Sequence, residues 1–237
     1  MNRSTEQNTG LVSQGNKRKR CSDRKDNKFM IESAVRHFIA SDQQSLQVFS
    51  ASSTAGLFIH KMPEERVVQL VAAVIESTPF LERGLVTVFA KTYETPRTLA
   101  FFSDVVAGYK YSRHTVTAHP VPSQMKELMA YVNQRFGARF NAVLVNRYAD
   151  GTETIGRHRD DEKVICKAGV VAISFGAERC MTFRDSSGHV VADVPLVSDI
   201  LLQMAGADFQ ALLTHEINKE PKVTAPRVSL TFREHTS

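Results

Sequence analysis

The chain has 237 residues, of which 42% are hydrophobic, so it is long enough for one large domain with a substantial core. Its formal net charge of +5 favours an anionic partner, and nucleic acid is the leading candidate. The three cysteines lack the CxxC spacing of a zinc site, and no apolar run predicts a membrane span or a signal peptide.

Residues 1–27 are polar and basic and have almost no apolar side chains to bury, which predicts a disordered tail. Within this tail Lys17–Arg20, followed by Arg24 and Lys25, form a compact basic cluster that suits nuclear import or attraction to phosphates. A solvated charge run is an equally good interpretation of the cluster. We expect residues 28–237 to form one domain.

Apolar residues recur at helical spacing in three segments, 29–40, 63–77 and 123–136. The second begins with a helix-start signal, Pro63 followed by two glutamates, and the third is stopped by Gly137. The Gln- and Ser-rich stretch 41–56 is predicted to be a connection.

After Pro79 the sequence becomes typical of strands, with short β-branched runs at 85–90 and 98–102. In the next segment Tyr109 and Tyr111 would share one strand face, with Lys110 on the other. Aromatic rings beside basic side chains suit base stacking and phosphate neutralisation, although ordinary packing is the more frequent role of such tyrosines.

The remainder is predicted to be mostly strand, in eight segments: 140–148, 155–160, 168–175, 180–184, 189–193, 199–204, 210–216 and 227–233. Short strands in this number, separated by turns, favour two packed antiparallel sheets. The predicted fold class is therefore α+β, a double-stranded β-helix (jelly roll) backed by N-terminal helices.

His158 and Asp160 lie two residues apart on a predicted strand, so both side chains would face the same way and could share a divalent metal. Such a pair alone usually occurs by chance. His215, on a neighbouring predicted strand, can supply a third ligand. Two imidazoles and one carboxylate form the facial triad of non-haem Fe(II) oxygenases.

The last predicted strand alternates in character, with Arg227, Ser229, Thr231 and Arg233 on one face. Two guanidinium groups that face an interior are costly to bury unless something anionic meets them. A small dicarboxylate would do so, because each planar fork can bind one carboxylate. The alternative is an edge strand with two solvated arginines.

Together these motifs carry a family resemblance. The order NxYxxG from Asn146, HxD from His158, a later His215, and PRxxLTFR from Pro226 resembles the AlkB family of 2-oxoglutarate- and Fe(II)-dependent dioxygenases. GRHRDDE followed by ISFGAER is similar to the animal members that repair duplex DNA. The resemblance covers roughly residues 80–235.

The resemblance implies an iron site formed by His158, Asp160 and His215. It also implies a 2-oxoglutarate site formed by Asn146, Tyr148, Arg227, Ser229 and Arg233. Ser229 stands where the family commonly has a second asparagine, so one cosubstrate contact would be weaker. With O2, oxidative decarboxylation of 2-oxoglutarate would then drive hydroxylation of an N-methyl group, followed by loss of formaldehyde.

A methyl group on a Watson–Crick nitrogen is inaccessible inside a duplex, so the base must be flipped out. By resemblance, Tyr109 and Glu162 would hydrogen-bond the base, and Tyr111 and His158 would stack on it. Three further candidates are Asp161, Arg97 and the segment 86–91, which resembles a hairpin that probes the base stack. Val88 and Phe89 could wedge into the stack there, with burial in the core as the equal alternative.

The expected function is that of a DNA repair dioxygenase that demethylates bases such as 1-methyladenine and 3-methylcytosine, using Fe(II), 2-oxoglutarate and O2. We expect a nuclear monomer acting on double-stranded DNA, with a nucleotide-recognition region at about 80–122. The alternatives are an RNA demethylase of the same family and a non-catalytic nucleic-acid-binding module.

Overall fold

The computed structural model describes residues 29–62, 65–78, 82–88, 90–111, 114–160, 167–198 and 200–235. The predicted tail lies outside the described residues, and so do Pro63, Phe89, Asp161 and Glu162. No helix in the described part of the chain is long and apolar enough to cross a membrane.

The helices of the described residues are α1 at 29–40, α2 Glu65–Ser77, α3 Ser123–Phe136 and the short α4 Phe209–Leu212. The strands of the first half are β1 Ser45–Ser50, β2 Gly56–Lys61, β3 Glu82–Val88, β4 Lys91–Ser103, β5 Gly108–Tyr111 and β6 His114–His119. Those of the second half are β7 Ala142–Tyr148, β8 Ile155–His158, β9 Val170–Gly176, β10 Arg179–Arg184, β11 Val190–Leu196, β12 Ile200–Ala205, β13 Thr214–Ile217 and β14 Arg227–Arg233.

The strands form two sheets, which confirms the predicted jelly roll. The larger sheet has the order β1-β2-β12-β9-β14-β7-β4-β6-β5, with β3 paired to β4, and the smaller has the order β11-β10-β13-β8. One core lies between the sheets and includes Phe183 and Leu202, together with Val35 of α1. A second core packs α2 and α3 on the outer face of the larger sheet, through residues such as Val71, Leu128 and Leu230.

Strand β14 lies in the middle of the larger sheet, between β7 and β9, and all of its residues are buried. Its apolar face, which includes Leu230 and Phe232, belongs to the core beneath α2 and α3. The opposite face, with Arg227, Ser229 and Arg233, therefore points between the sheets. The alternative of an edge strand with solvated arginines is excluded.

Three sequence predictions were wrong. The predicted strand 155–160 ends at His158, so Asp160 does not share a strand with it. The stretch 41–56 is not a simple connection, because it contains β1, which pairs with β2 from Ser45↔His60 to Ser50↔Gly56. Its polar composition concealed a strand of which only part of one side packs against the core. The predicted strand 210–216 is instead α4 followed by β13, because one helical turn buries both Phe209 and Leu213.

The turn after β7 is fixed to the loop after β13 by backbone hydrogen bonds. Gly151 N donates to Val223 O at 2.7 Å, and Glu220 N donates to Gly151 O at 2.7 Å. The buried Arg179 guanidinium also donates hydrogen bonds to Asp150 O at 3.1 Å and to Asn218 O at 2.6 Å. These bonds tie the end of β7, which carries Tyr148, to the chain that follows β13, which carries His215.

We expect Gly151→Ala to lower the free energy of unfolding by more than about 2 kcal/mol, because packing defects of this kind lie at the costly end of point substitutions. A Cβ atom at Gly151 would lie 1.8 Å from Glu220 O, and this backbone cannot shift without losing both hydrogen bonds. Urea unfolding measures the effect. Gly156→Ala is the matched control, because a Cβ there meets nothing within 4 Å; equal stability of the two variants would contradict the prediction.

Candidate active site

The structure brings His158, Asp160 and His215 together. His158, at the end of β8, pairs directly with His215 on β13, and their ring centroids are 4.3 Å apart. Each Nε2 atom lies 3.8 Å from an Asp160 carboxylate oxygen, His158 from Oδ1 and His215 from Oδ2. One ligand atom from each residue lies within 4.8 Å of the others, a spacing that could hold one metal ion.

Both imidazoles are held neutral, which is the form that binds a metal. The pKa of His158 is lowered to about 3, mainly by burial and secondly by the proximity of His215. The pKa of His215 is likewise lowered to about 3, mainly by burial and secondly by the positive charge of Arg233. His158 Nδ1 lies 2.8 Å from Gly156 O, and since a carbonyl can only accept, Nδ1 carries the proton and Nε2 keeps its lone pair.

Asp160 forms a buried ion pair with Arg233 of β14. Arg233 Nη2 donates to Asp160 Oδ1 at 2.6 Å, and the two side chains are 4% and 1% exposed. The Arg233 guanidinium also lies 5.0 Å from the ring centroid of Tyr109. The pair fixes one carboxylate oxygen and compensates the charge of a candidate metal ligand inside the protein.

Arg227, at the other end of the same strand face, is in a different setting. Its Nη2 donates to Ser174 Oγ at 2.9 Å, and its guanidinium carbon lies 5.4 Å from the Tyr148 ring centroid. Nε and Nη1 are buried and have no hydrogen-bond partner among the described residues. Burial lowers the pKa of this guanidinium. Binding of an anion that accepts hydrogen bonds from Nε and Nη1 would therefore be favourable.

A cavity between the two sheets joins these groups. Its polar lining consists of Arg97, Tyr109, Asn146, Tyr148, His158, Asp160, His215, Arg227, Ser229, Thr231 and Arg233. Apolar residues complete the wall, among them Ile155, Met181, Met204 and Ile217. Nitrogen and carboxylate donors of this kind suit Fe(II), and the buried guanidinium at Arg227 suits a carboxylate, so the residues present fit both groups.

The predicted base-binding residues are only partly described. Tyr109 is buried, stacks on Phe101 with ring centroids 5.5 Å apart, and lines the cavity. Arg97 is also buried, and its Nε donates to Asn146 Oδ1 at 2.7 Å. The predictions for Phe89, Asp161 and Glu162, and for the side chains of Val88 and Tyr111, fall outside the described residues.

Sequence reasoning missed three residues that support the site. Ser174 pairs with Ser229 across β9 and β14, and its position as a polar residue within an apolar strand could have indicated it. Arg179 lies beneath the turn after β7, and its guanidinium is 5.7 Å from the Tyr148 ring centroid. Gln210 accepts a hydrogen bond from Asp160 N at 3.0 Å. Arg179 is the last residue of the segment ISFGAER, which was given no role of its own, and no local pattern marks Gln210.

A model of the 2OG-Fe(II) oxygenase superfamily matches residues 54–233 of the chain. The chain belongs to this superfamily. Membership implies Fe(II) as the metal, with 2-oxoglutarate and O2 as cosubstrates, as predicted.

Named relatives confirm the resemblance to the AlkB family. The chain is 37% identical over 158 residues to DNA oxidative demethylase ALKBH2 of Homo sapiens, covering 63% of this chain and 60% of that protein. It is 33% identical over 156 residues to human alpha-ketoglutarate-dependent dioxygenase alkB homolog 3, covering 60% of this chain and 52% of that protein. The chain thus spans less than two thirds of the length of either relative.

A solved structure supports the fold independently. The structure of OsALKBH1 superimposes with a TM-score of 0.50 and 15% sequence identity, covering 75% of this chain and 97% of that chain. At this identity the likeness concerns the fold alone. It agrees with the two-sheet architecture that carries the candidate site.

In the metal-free chain we expect Arg233→Met to lower the free energy of unfolding by about 3 to 5 kcal/mol, because it leaves the Asp160 carboxylate buried without its partner. Asp160→Asn in the same background should recover a large part of this loss. A double-mutant cycle by urea unfolding measures the coupling. Strictly additive effects of the two substitutions on the free energy of unfolding would contradict the expected coupling between Arg233 and Asp160.

Proposed function

We propose that this chain is an Fe(II)- and 2-oxoglutarate-dependent dioxygenase that removes methyl groups from N-alkylated bases in DNA and releases formaldehyde. The observation that carries the proposal is the meeting of His158, Asp160 and His215 with the buried Arg227 in one cavity. Among the relatives, human ALKBH2 bears the name DNA oxidative demethylase, which supplies the choice of substrate.

The three clustered residues are proposed to hold the iron. His158 and His215 would each contribute Nε2, and Asp160 would contribute a carboxylate oxygen. Fe(II) bound there would supply the activation of O2, coupled to oxidation of 2-oxoglutarate, that hydroxylates an N-methyl carbon. The protein's own part is to keep both imidazoles neutral, to hold the carboxylate through Arg233, and to exclude water between the sheets.

The cosubstrate is proposed to lie along the polar face of β14. Arg227, with Tyr148 and Ser174 beside it, would receive one carboxylate through its two buried donors. Arg233, already bonded to Asp160, would meet the other carboxylate close to the metal. Asn146 and Ser229, which face each other in register between the arginines, complete the wall.

The flipped base is proposed to enter beside Tyr109, whose ring is held between Phe101 and Arg233. The other proposed base contacts are Tyr111, His158, Asp161, Glu162 and Arg97. Base extrusion exposes the methyl group to the metal centre, and stacking on aromatic rings offsets part of its cost.

Double-stranded DNA is the proposed form of the substrate. Strands β3 and β4 form a hairpin whose register ends at Val88↔Lys91, and Ala90 in its turn has a positive φ of 62°. Large apolar side chains on this hairpin are exposed, Leu85 by 45% and Tyr93 by 52%. Val88 and Phe89, the apolar residues that directly precede Ala90 in the sequence, are proposed to insert into the space that a flipped base leaves.

We further propose that the protein acts as a monomer in the nucleus, where its substrate lies. The division into a basic tail, 1–27, and a catalytic domain, 28–237, remains a prediction, as does the import role of the basic cluster.

We expect the purified chain to release formaldehyde from oligonucleotides that carry 1-methyladenine or 3-methylcytosine, in a reaction that requires Fe(II) and 2-oxoglutarate. His158→Ala should abolish it, because the variant lacks one of three metal ligands. Mass spectrometry of the repaired strand measures the reaction. Undiminished demethylation by His158→Ala would refute the proposal.

Arg227→Met serves as a second arm of the same assay. Since Arg227 contacts none of the candidate iron ligands, this variant should still bind metal but require a much higher 2-oxoglutarate concentration. Unchanged dependence on 2-oxoglutarate would remove Arg227 from the cosubstrate site.

We expect Phe89→Ala to reduce repair of a lesion in duplex DNA far more than repair of the same lesion in a single strand, because a wedge is needed only where stacking must be broken. Parallel assays on duplex DNA, single-stranded DNA and RNA measure the selectivity. A uniform effect would show that Phe89 serves the core instead. Faster turnover on RNA would favour an RNA demethylase.

A further inference from the structure

Asp160 lies where the regular sheet has ended. Strand β8 stops at His158, and residues 159 and 160 have no strand pairing. The Asp160 side chain is nevertheless 1% exposed, so its backbone N–H cannot be left to water. Some group other than the sheet must hold this part of the main chain.

Gln210 is that group. Its Oε1 accepts a hydrogen bond from Asp160 N at 3.0 Å, and Gln210 itself is only 3% exposed. Its Nε2 donates to Met204 Sδ at 3.4 Å. Because a backbone N–H can only donate, the amide oxygen must face Asp160, and the weakly accepting sulfur receives the NH2 group.

The backbone of Gln210 is itself fixed from two directions. The preceding Phe209 is buried and packs against Phe183, with ring centroids 6.0 Å apart. Asp208 accepts hydrogen bonds from Ser52 Oγ at 2.8 Å and from Thr54 Oγ1, in the turn between β1 and β2. Gln210 also lies five residues before His215 in the chain, so α4 adjoins two of the three clustered ligands.

We propose that Gln210 is a positioning residue for the metal centre. Its amide fixes the position of the Asp160 main chain, while Arg233 fixes the orientation of the Asp160 carboxylate. The proposal rests on the proposed function, because it assumes that Asp160 binds a metal. Groups that orient metal ligands in this way typically contribute about 10- to 100-fold to metal affinity.

The test is titration of the metal-free chain with Co(II), followed by the visible absorption of the bound ion. Gln210→Met keeps the length of the side chain but removes the acceptor oxygen. It should weaken Co(II) binding by about 10- to 100-fold and alter the absorption spectrum. Gln210→Glu keeps an acceptor oxygen in reach of Asp160 N, and burial favours the protonated form of its carboxyl, which adds no charge beside Asp160. This variant should therefore keep the wild-type spectrum and most of the affinity.

Thr182→Val is the matched control for a general loss of stability. It removes two side-chain hydrogen bonds of Thr182 Oγ1, one donated to Asp193 and one accepted from Asn218 Nδ2, in the small sheet that carries His215. Thr182 itself does not line the cavity. It should lower the melting temperature without changing Co(II) affinity or spectrum.

Wild-type Co(II) affinity and spectrum in Gln210→Met would overturn the proposal, as would an equal loss of affinity in Thr182→Val. If Gln210→Met does not fold, the proposal is overturned by Gln210→Glu binding Co(II) more than about tenfold more weakly than wild type. Failure of the wild-type chain to bind Co(II) would instead refute the metal centre itself, so the two failures are distinguishable.

Discussion

The burial of a polar strand face at the centre of the molecule is the constraint on which the rest of the structure depends. β14 has neighbours on both sides, so Arg227 and Arg233 cannot reach solvent at a sheet edge. Unpaired charges in such a place would cost several kcal/mol each. The fold reduces this cost at Arg233 with Asp160 and leaves part of it at Arg227, where buried donors face the cavity.

His215 rests on an aromatic cluster that distant parts of the chain build. Its ring lies 6.0 Å from Phe183, which lies 5.8 Å from Phe49 of β1 and 6.0 Å from Phe209 of α4. β1 precedes residue 54, where the match to the superfamily begins. A strand outside the matched region therefore supports a candidate metal ligand, and close packing makes that support rigid.

The sequence was informative where chemistry and periodicity coincide. Alternation along β14 gave the face of Arg227 and Arg233. The HxD motif correctly indicated that His158 and Asp160 would meet, although Asp160 lies beyond the end of β8 and not on the strand as predicted. The sequence was uninformative where a side chain's role depends on a distant partner. Nothing near Gln210 indicates that its acceptor will meet a backbone N–H fifty positions earlier, since that bond exists only after α4 and β8 have been brought together. β1 was missed for a related reason, because an edge strand in a polar stretch is specified by its pairing with β2 more than by its own composition.

The charge of the cavity explains why one site would suit two ligands of opposite sign. Its charged lining consists of three arginines, Arg97, Arg227 and Arg233, and one carboxylate, Asp160, while both histidines are neutral. The net formal charge of these buried side chains is thus +2, and a divalent cation alone would raise it to +4. A dicarboxylate alone would bring the balance to zero, and the two together would leave it unchanged. Since charge–charge energies grow as the effective dielectric constant falls, the dicarboxylate should favour the cation, and by linkage the cation should favour the dicarboxylate to the same extent.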